Sequence, residues 1–325
     1  MFELKEFFHN PNEIYHLNSA VKQSCQTCNG VIVGIDEAGR GPVLGPMIYT
    51  AAYCPILMRA EIEMEKYQDS KTLTEKQRTE MFETIDNDPN IGWSTTILSP
   101  IYISNSMLKR SKYNLNSISH DSAINLIQNI QSKGIEIQEV YLDTVGPPEK
   151  YQQKLRQLFP DIKKITVAKK ADSLYKIVSI ASICAKVLRD YLIKYWQFQE
   201  QNLSFNEHDY GSGYPSDPKT KEFLQQIFNP IFGFPTFVRF SWSTITKIMD
   251  DKAIGCNWDD DEDDDDDNQE NNDGKQQQSI MNFFKNKSAT TKKQRDEEKF
   301  KCFKSSNFFQ EQNLEQINDL DRIFG

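Results

Sequence analysis

Apolar positions along the first 250 residues fall into short continuous runs and stretches of helical period. Val31 to Ile35 is a short β-branched run, Met47 to Cys54 a second and Ile91 to Leu98 a third. With Gly45-Pro46 as the first turn, they read as strands of an antiparallel meander. Between the second and third, DSKTLTEKQRTEMFETI has helical spacing, with Thr72 or Thr74 as cap and Leu73, Met81 and Ile85 toward a core. Asn114 to Ile130 repeats that spacing at Leu115, Ile118, Ala123, Leu126 and Ile130. Strand Ile135 to Leu142, helix Glu149 to Leu158 and strand Ile165 to Ala168 then alternate as a parallel crossover does. The longest helical pattern, Ile177 to Gln199, sets Ile177, Ala181, Cys184, Leu188, Tyr191 and Tyr195 on one stripe. A last helix is expected over Ser241 to Lys252.

Beyond it the periodicity stops, and composition explains why. DDDEDDDDDNQENNDGKQQQ is a self-repelling, solvated stretch that cannot bury a core. Residues 1–250 are close to charge-balanced, so the net charge of −9 belongs mainly to the tail and does not argue against an anionic ligand for the globular part. Hydrophobic residues make up 38% of the 325, enough for a sizeable core. No run of 18 apolar residues and no basic-then-apolar leader is present, so neither secretion nor a membrane span is expected. Cys25 and Cys28 form a C-x-x-C without a second pair or nearby histidine, and Cys54, Cys184, Cys256 and Cys302 are scattered. Reduced thiols, with neither a disulfide framework nor a zinc site, are the expectation.

Candidate chemistry gathers where strands end. The first run delivers Asp36 and Glu37 into Gly39-Arg40-Gly41. Adjacent carboxylates repel unless a cation neutralises them, and the glycines let backbone approach a ligand closely. The run at 135–142 ends on Asp143 before TVGPP, and the turn after 165–168 supplies Asp172. Parallel neighbours bring such strand ends into one cleft. Taken singly, each acid also fits an ordinary turn or cap, and Lys71, His120, Lys186 and Tyr214 each have a plain structural reading.

Five ordered blocks change the weight of these residues: GIDEAGRGPVLGP, DSKTL, YLDTVGPPEKY, KKADSLYKIVSIASICAKVLRD and DYGSGYPSDPKTK. They resemble the signatures of the type 2 ribonuclease H (ribonuclease HII) family, in its eukaryotic heterotrimeric branch. The resemblance implies an α/β, ribonuclease-H-like mixed five-stranded sheet flanked by helices, a C-terminal helical part and a disordered tail. It implies that Asp36, Glu37, Asp143 and Asp172 bind two Mg²⁺ or Mn²⁺ ions, which hard oxygen ligands suit. Gly39, Arg40, Gly41, Lys71, Ser182, Lys186 and Tyr214 are then the substrate-binding candidates. The implied substrates are RNA–DNA hybrids and duplex DNA carrying ribonucleotides, recognised by the 2′-hydroxyl rather than by base. Two non-catalytic subunits are the implied partners, and a nuclear location is expected, with KNKSATTKKQR as a weak targeting signal. A non-catalytic clamp-binding scaffold and a nuclease for branched DNA are the rival readings; the retained acids and the tyrosine turn weigh against them.

In the tail, Gln277, Ile280, Phe283 and Phe284 fit the Q-x-x-aliphatic-x-x-aromatic-aromatic peptide that docks on a sliding clamp (PCNA). The expected layout is therefore an extension over 1–29, a catalytic domain over 30–253, a linker over 254–304 holding the clamp peptide at 277–284, and a partner-docking segment over 305–325.

Overall fold

The computed structural model describes residues 4–9, 12–64, 73–111, 113–200 and 203–255. Lys71, the clamp peptide and the 305–325 segment lie outside them. The main unit comprises residues up to 228 together with 234–248.

The meander forms from the chain's first three apolar runs, whose strands are buried on both faces. Strands β1 (Tyr15–Asn18), β2 (Val31–Ala38), β3 (Met47–Pro55), β4 (Gly92–Leu98), β5 (Ile137–Asp143) and β6 (Lys164–Ala168) build one sheet in the order β1-β4-β3-β2-β5-β6. The β2–β3, β3–β4 and β1–β4 pairs are antiparallel, whereas β2–β5 and β5–β6 are parallel. Six strands replace the five expected, because Tyr15–Asn18, placed by sequence in an extension, pairs with β4 from Tyr15↔Ile97 to Asn18↔Ser94. Four residues with one polar face are too few to register as a period, and their partner edge supplies the order.

Helices cover both faces. In chain order they are α1 (Lys5–His9), α2 (Gln23–Thr27), α3 (Arg59–Met64), α4 (Glu75–Asn87), α5 (Pro100–Met107) and α6 (Leu115–Ser132). After these come α7 (Pro148–Leu158), α8 (Ala171–Leu174), α9 (Lys176–Lys194), α10 (Pro218–Gln226) and α11 (Ser243–Lys252). Thr74 starts α4 with a full capping box to Gln77, and Asp217 caps α10 ahead of Pro218. Side chains alternate across β2: Val31, Val33 and Ile35 join the α6 and α7 core, while Ile32 joins the core under α9. Helix α9 ends at Lys194, earlier than its apolar stripe suggests, and Tyr195 is left exposed. The chain turns there because Trp196 and Phe198 pack instead on Phe237, at ring-centre distances of 4.9 and 5.7 Å.

No described helix is long and apolar enough to cross a membrane. The second unit, residues 229–233 with 249 onward, contains a turn in which Asn229 and Gly233 exchange N–H···O=C bonds of 2.7 and 2.8 Å.

Gly34 sets the distance between α9 and the centre of the sheet. A Cβ at that position would overlap the backbone of Ile177 and Val178, so α9 meets β2 with no side chain between them. Gly34→Ala should cost about 2 kcal/mol, a fall of roughly 5 °C in the thermal unfolding midpoint. An unchanged midpoint would show that the contact has slack.

Candidate active site

Register places the acids. The β2–β5 ladder runs to Ile35↔Leu142, so Asp36 and Asp143 are the next residues on adjacent parallel strands. Across the next ladder Asp143 faces Ala168, four residues before Asp172. Asp143 Oδ1 accepts the N–H groups of Thr144 at 2.8 Å and Ala171 at 3.4 Å, which ties the β5 end to the first residue of α8. The turn between is made by Lys170, the one non-glycine with positive φ (56°) among the described residues. That left-handed residue costs about 1–2 kcal/mol and brings Asp172, buried, against the other acids.

Asp36 and Glu37 are neighbours on a strand and so lean to opposite faces. Asp36 faces α9, where the buried Ser182 hydroxyl donates to its carboxylate. Glu37 lies opposite Tyr49 in register; burial raises the pKa of both Tyr49 and Tyr151 on the α6 side, and the Glu37 charge adds to it. Burial pushes the Asp36 carboxyl up to about 7, with Asp143 and Asp172 adding repulsion. Burial likewise pushes Glu37 up to about 8, with Asp36, Asp143 and Asp172 adding and Arg40 opposing. Asp36 and Glu37 thus both feel the charges of Asp143 and Asp172.

The donor set fits a divalent cation: hard carboxylate oxygens, concentrated and desolvated, whose repulsion a positive charge would relieve. Among the described residues no three acidic, histidine or cysteine side chains converge tightly enough to hold a metal as they stand.

Beside the acids lies the Gly39-Arg40-Gly41 turn. The Arg40 guanidinium donates to Ser119 Oγ and, at 2.5 Å, to Asn116 Oδ1, fastening it to the first turns of α6. Gly41 is exposed, and a Cβ there would come 2.8 Å from Tyr214 Cε1, so ring and backbone form one surface. Gly211 and Gly213, with φ of +65° and +77°, shape the tyrosine turn. Asp217 fixes it by accepting from Ser212 N–H and Lys219 N–H; hydrogen bonds from the Ser212 hydroxyl first, and then from these N–H groups, hold its carboxyl down to about 2. Val43 N–H to Gly213 O, 2.8 Å, links the two turns. An open groove of about 420 Å³, lined by Arg40, Gly41, Met107, Leu115, Ser241 and Trp242, continues from them.

Of the expected site residues, Asp36, Glu37, Asp143 and Asp172 come together, and Gly39, Arg40, Gly41 and Tyr214 border them. Ser182, expected among the substrate contacts, is fully buried behind Asp36, where its reach ends on that carboxylate. Lys186 sits half-buried one turn further along α9. His120 stacks on Tyr151 at 3.8 Å and bonds the Val145 carbonyl, a structural arrangement. Cys25 and Cys28 both bond backbone carbonyls as free thiols. Asn116, Ser119, Arg189 and Arg239, which support the turn, were not singled out by sequence. The signal for Arg239 was available, since a lone charge inside the apolar stretch PTFVRFSW is unusual unless buried and bonded.

A mixed sheet with carboxylates on adjacent parallel strand ends defines the ribonuclease-H-like class of α/β enzyme. The Ribonuclease HII family model matches residues 33–245. The A subunit of ribonuclease H2 from Rattus norvegicus is 53% identical over 230 residues, covering 70% of this chain and 76% of that protein. The crystal structure of ribonuclease H2 from Pyrococcus horikoshii OT3 superposes with a TM-score of 0.56 at 30% identity, covering 68% of this chain and 98% of that one. The RNase HII of a PCNA:RNase HII complex from Archaeoglobus fulgidus gives 0.50 at 28% identity, over 60% and 85%. The chain belongs to the ribonuclease HII family and is a ribonuclease H enzyme, an endoribonuclease.

Without divalent cations the buried acids oppose folding. Asp36→Asn keeps an acceptor for Ser182 but removes one charge, so in chelator its unfolding midpoint should rise by a few degrees. A lower midpoint would mean the acids are not strained.

Proposed function

We propose that the chain is the catalytic subunit of a heterotrimeric ribonuclease H2, cutting RNA in RNA–DNA hybrids and single ribonucleotides embedded in duplex DNA. The observation that carries this reading is the juxtaposition of four carboxylates with a Gly39-Arg40-Gly41 turn whose exposed Gly41 is backed by Tyr214. The products are a 3′-hydroxyl and a 5′-phosphate, with the cut on the 5′ side of the ribonucleotide.

Two divalent ions, Mg²⁺ or Mn²⁺, would supply a hydroxide-like nucleophile and neutralise charge on the leaving oxygen. Asp36, Glu37, Asp143 and Asp172 would hold them, with Ser182 orienting the Asp36 carboxylate. Backbone groups of Gly39, Arg40 and Gly41 read the 2′-hydroxyl, and Tyr214 stacks on the adjoining sugar and base. Lys71 and Lys186 contact the phosphate backbone. None of these contacts reads base identity, so the specificity is for the junction between ribo- and deoxyribonucleotide.

Partners follow from the relatives and the tail. The curated relatives are named as the A subunit of ribonuclease H2, which supports two further subunits docking on residues 305–325. The archaeal complex with PCNA supports reading residues 277–284 as a clamp peptide. Ribonucleotide excision and primer removal in the nucleus are the processes this combination serves.

Asp36→Asn should lower cleavage of a duplex with one ribonucleotide by about 10³-fold or more, measured on the full chain with its subunits. Retained cleavage would end the proposal that Asp36 serves the reaction. Phe283→Ala with Phe284→Ala should weaken sliding-clamp binding by roughly 30-fold or more and leave cleavage of the short duplex unchanged. Unchanged clamp affinity would remove the peptide from the account.

A further inference from the structure

We infer that Arg239 is a positioning residue for ribose recognition: from behind the Gly39–Gly41 turn its guanidinium aims the N–H groups of Arg40 and Gly41 into the cleft. The inference rests on the proposed function, which gives those groups the 2′-hydroxyl as their acceptor.

Arg239 is fully buried. Its Nε donates to Gly45 O at 2.8 Å, Nη1 to Arg40 O at 3.2 Å and Nη2 to Gly39 O at 2.6 Å. Among the described residues it takes part in no ion pair. Burying an unneutralised guanidinium costs several kcal/mol, which is a poor way merely to fill a core. The rigid fork of five donors suits three carbonyls arranged around it.

Peptide geometry gives the consequence. The described residues contain no cis peptide bond, and in a trans peptide a C=O and the following N–H point in opposite directions. Turning the Gly39 carbonyl inward therefore turns the Arg40 N–H outward, and turning the Arg40 carbonyl inward does the same for Gly41 N–H. Neither N–H has a hydrogen-bond partner among the described residues. A charged donor on the carbonyl also polarises each peptide, which makes its N–H a stronger donor.

Two neighbours lock the arrangement. Trp242 Nε1 donates to Gly41 O at 3.1 Å, and the same indole lies 4.9 Å over the Arg239 guanidinium. Arg189, part-buried, donates to Pro46 O and Leu44 O and fills the space a side chain at Gly39 would need. Gly39 itself has φ +81°, so its backbone tolerates this pose only as glycine.

The test is equilibrium binding of the full-length chain, with Asp36→Asn throughout to prevent cleavage. Two DNA duplexes identical except for one ribonucleotide are compared. Asp36→Asn alone should prefer the ribonucleotide duplex. Adding Arg239→Met or Arg239→Lys should cut that preference by about tenfold, while affinity for the all-DNA duplex moves by less than about threefold. A merely structural arginine would lower the unfolding midpoint and leave the preference intact, which overturns the inference. Arg239→Lys keeps the charge and much of the volume, so it carries the test alone if the methionine variant does not fold. Absence of any preference in the Asp36→Asn parent would overturn the reading of the turn itself, and with it this inference.

Discussion

Backbone meets backbone where α9 crosses β2. Gly34 makes this possible, and the site is downstream of that one approach. It brings Ser182 within hydrogen-bonding distance of Asp36, one turn and a half along the helix from the contact at Ile177. It also fixes where α9 begins, and so where α8 and Asp172 must lie after β6. A single added carbon would push the helix outward and loosen two of the four acids at once. The strand order then does the rest, since the parallel β2–β5 ladder runs to Ile35↔Leu142 and leaves Asp36 and Asp143 next on adjacent strands.

Charge is the second organising term. Acids gather beside the Gly39–Gly41 turn, and two guanidiniums, buried Arg239 and part-buried Arg189, hold backbone carbonyls between Gly39 and Pro46. Each group is costly in isolation. A divalent cation would relieve the acids, and carbonyl oxygens relieve the guanidiniums, so positive groups back the turn beside the carboxylates. Such a surface can meet a polyanion. The −9 net charge of the whole chain is no guide to this local potential, because most of it lies in the acidic tail.

Much of this was legible from residue patterns, and the reasons differ by element. Strands β2 to β6 announce themselves as apolar runs, helices α4, α6, α7, α9 and α11 by period, and Thr74 by capping chemistry. Short α5, α8 and α10 carry too few turns to show a period. The acids at strand ends were visible because a carboxylate after a β-branched run is uncommon without a purpose. Strand β1 was not visible, since its order comes from the edge of β4 and not from its own four residues. Ser182 was legible as part of the site but not as a residue behind it, because helical spacing gives a face and not a depth. Arg239 lies about two hundred residues from the turn it holds, a distance no local pattern spans.

The measurement that bears most directly on the account is anomalous diffraction from crystals of the Mn²⁺-soaked chain with a ribonucleotide-containing duplex. The account predicts manganese peaks bounded by Asp36, Glu37, Asp143 and Asp172, with the ribonucleotide's phosphate beside them and its 2′-hydroxyl against the Gly39–Gly41 turn. Peaks elsewhere, or a duplex seated away from that turn, would contradict it.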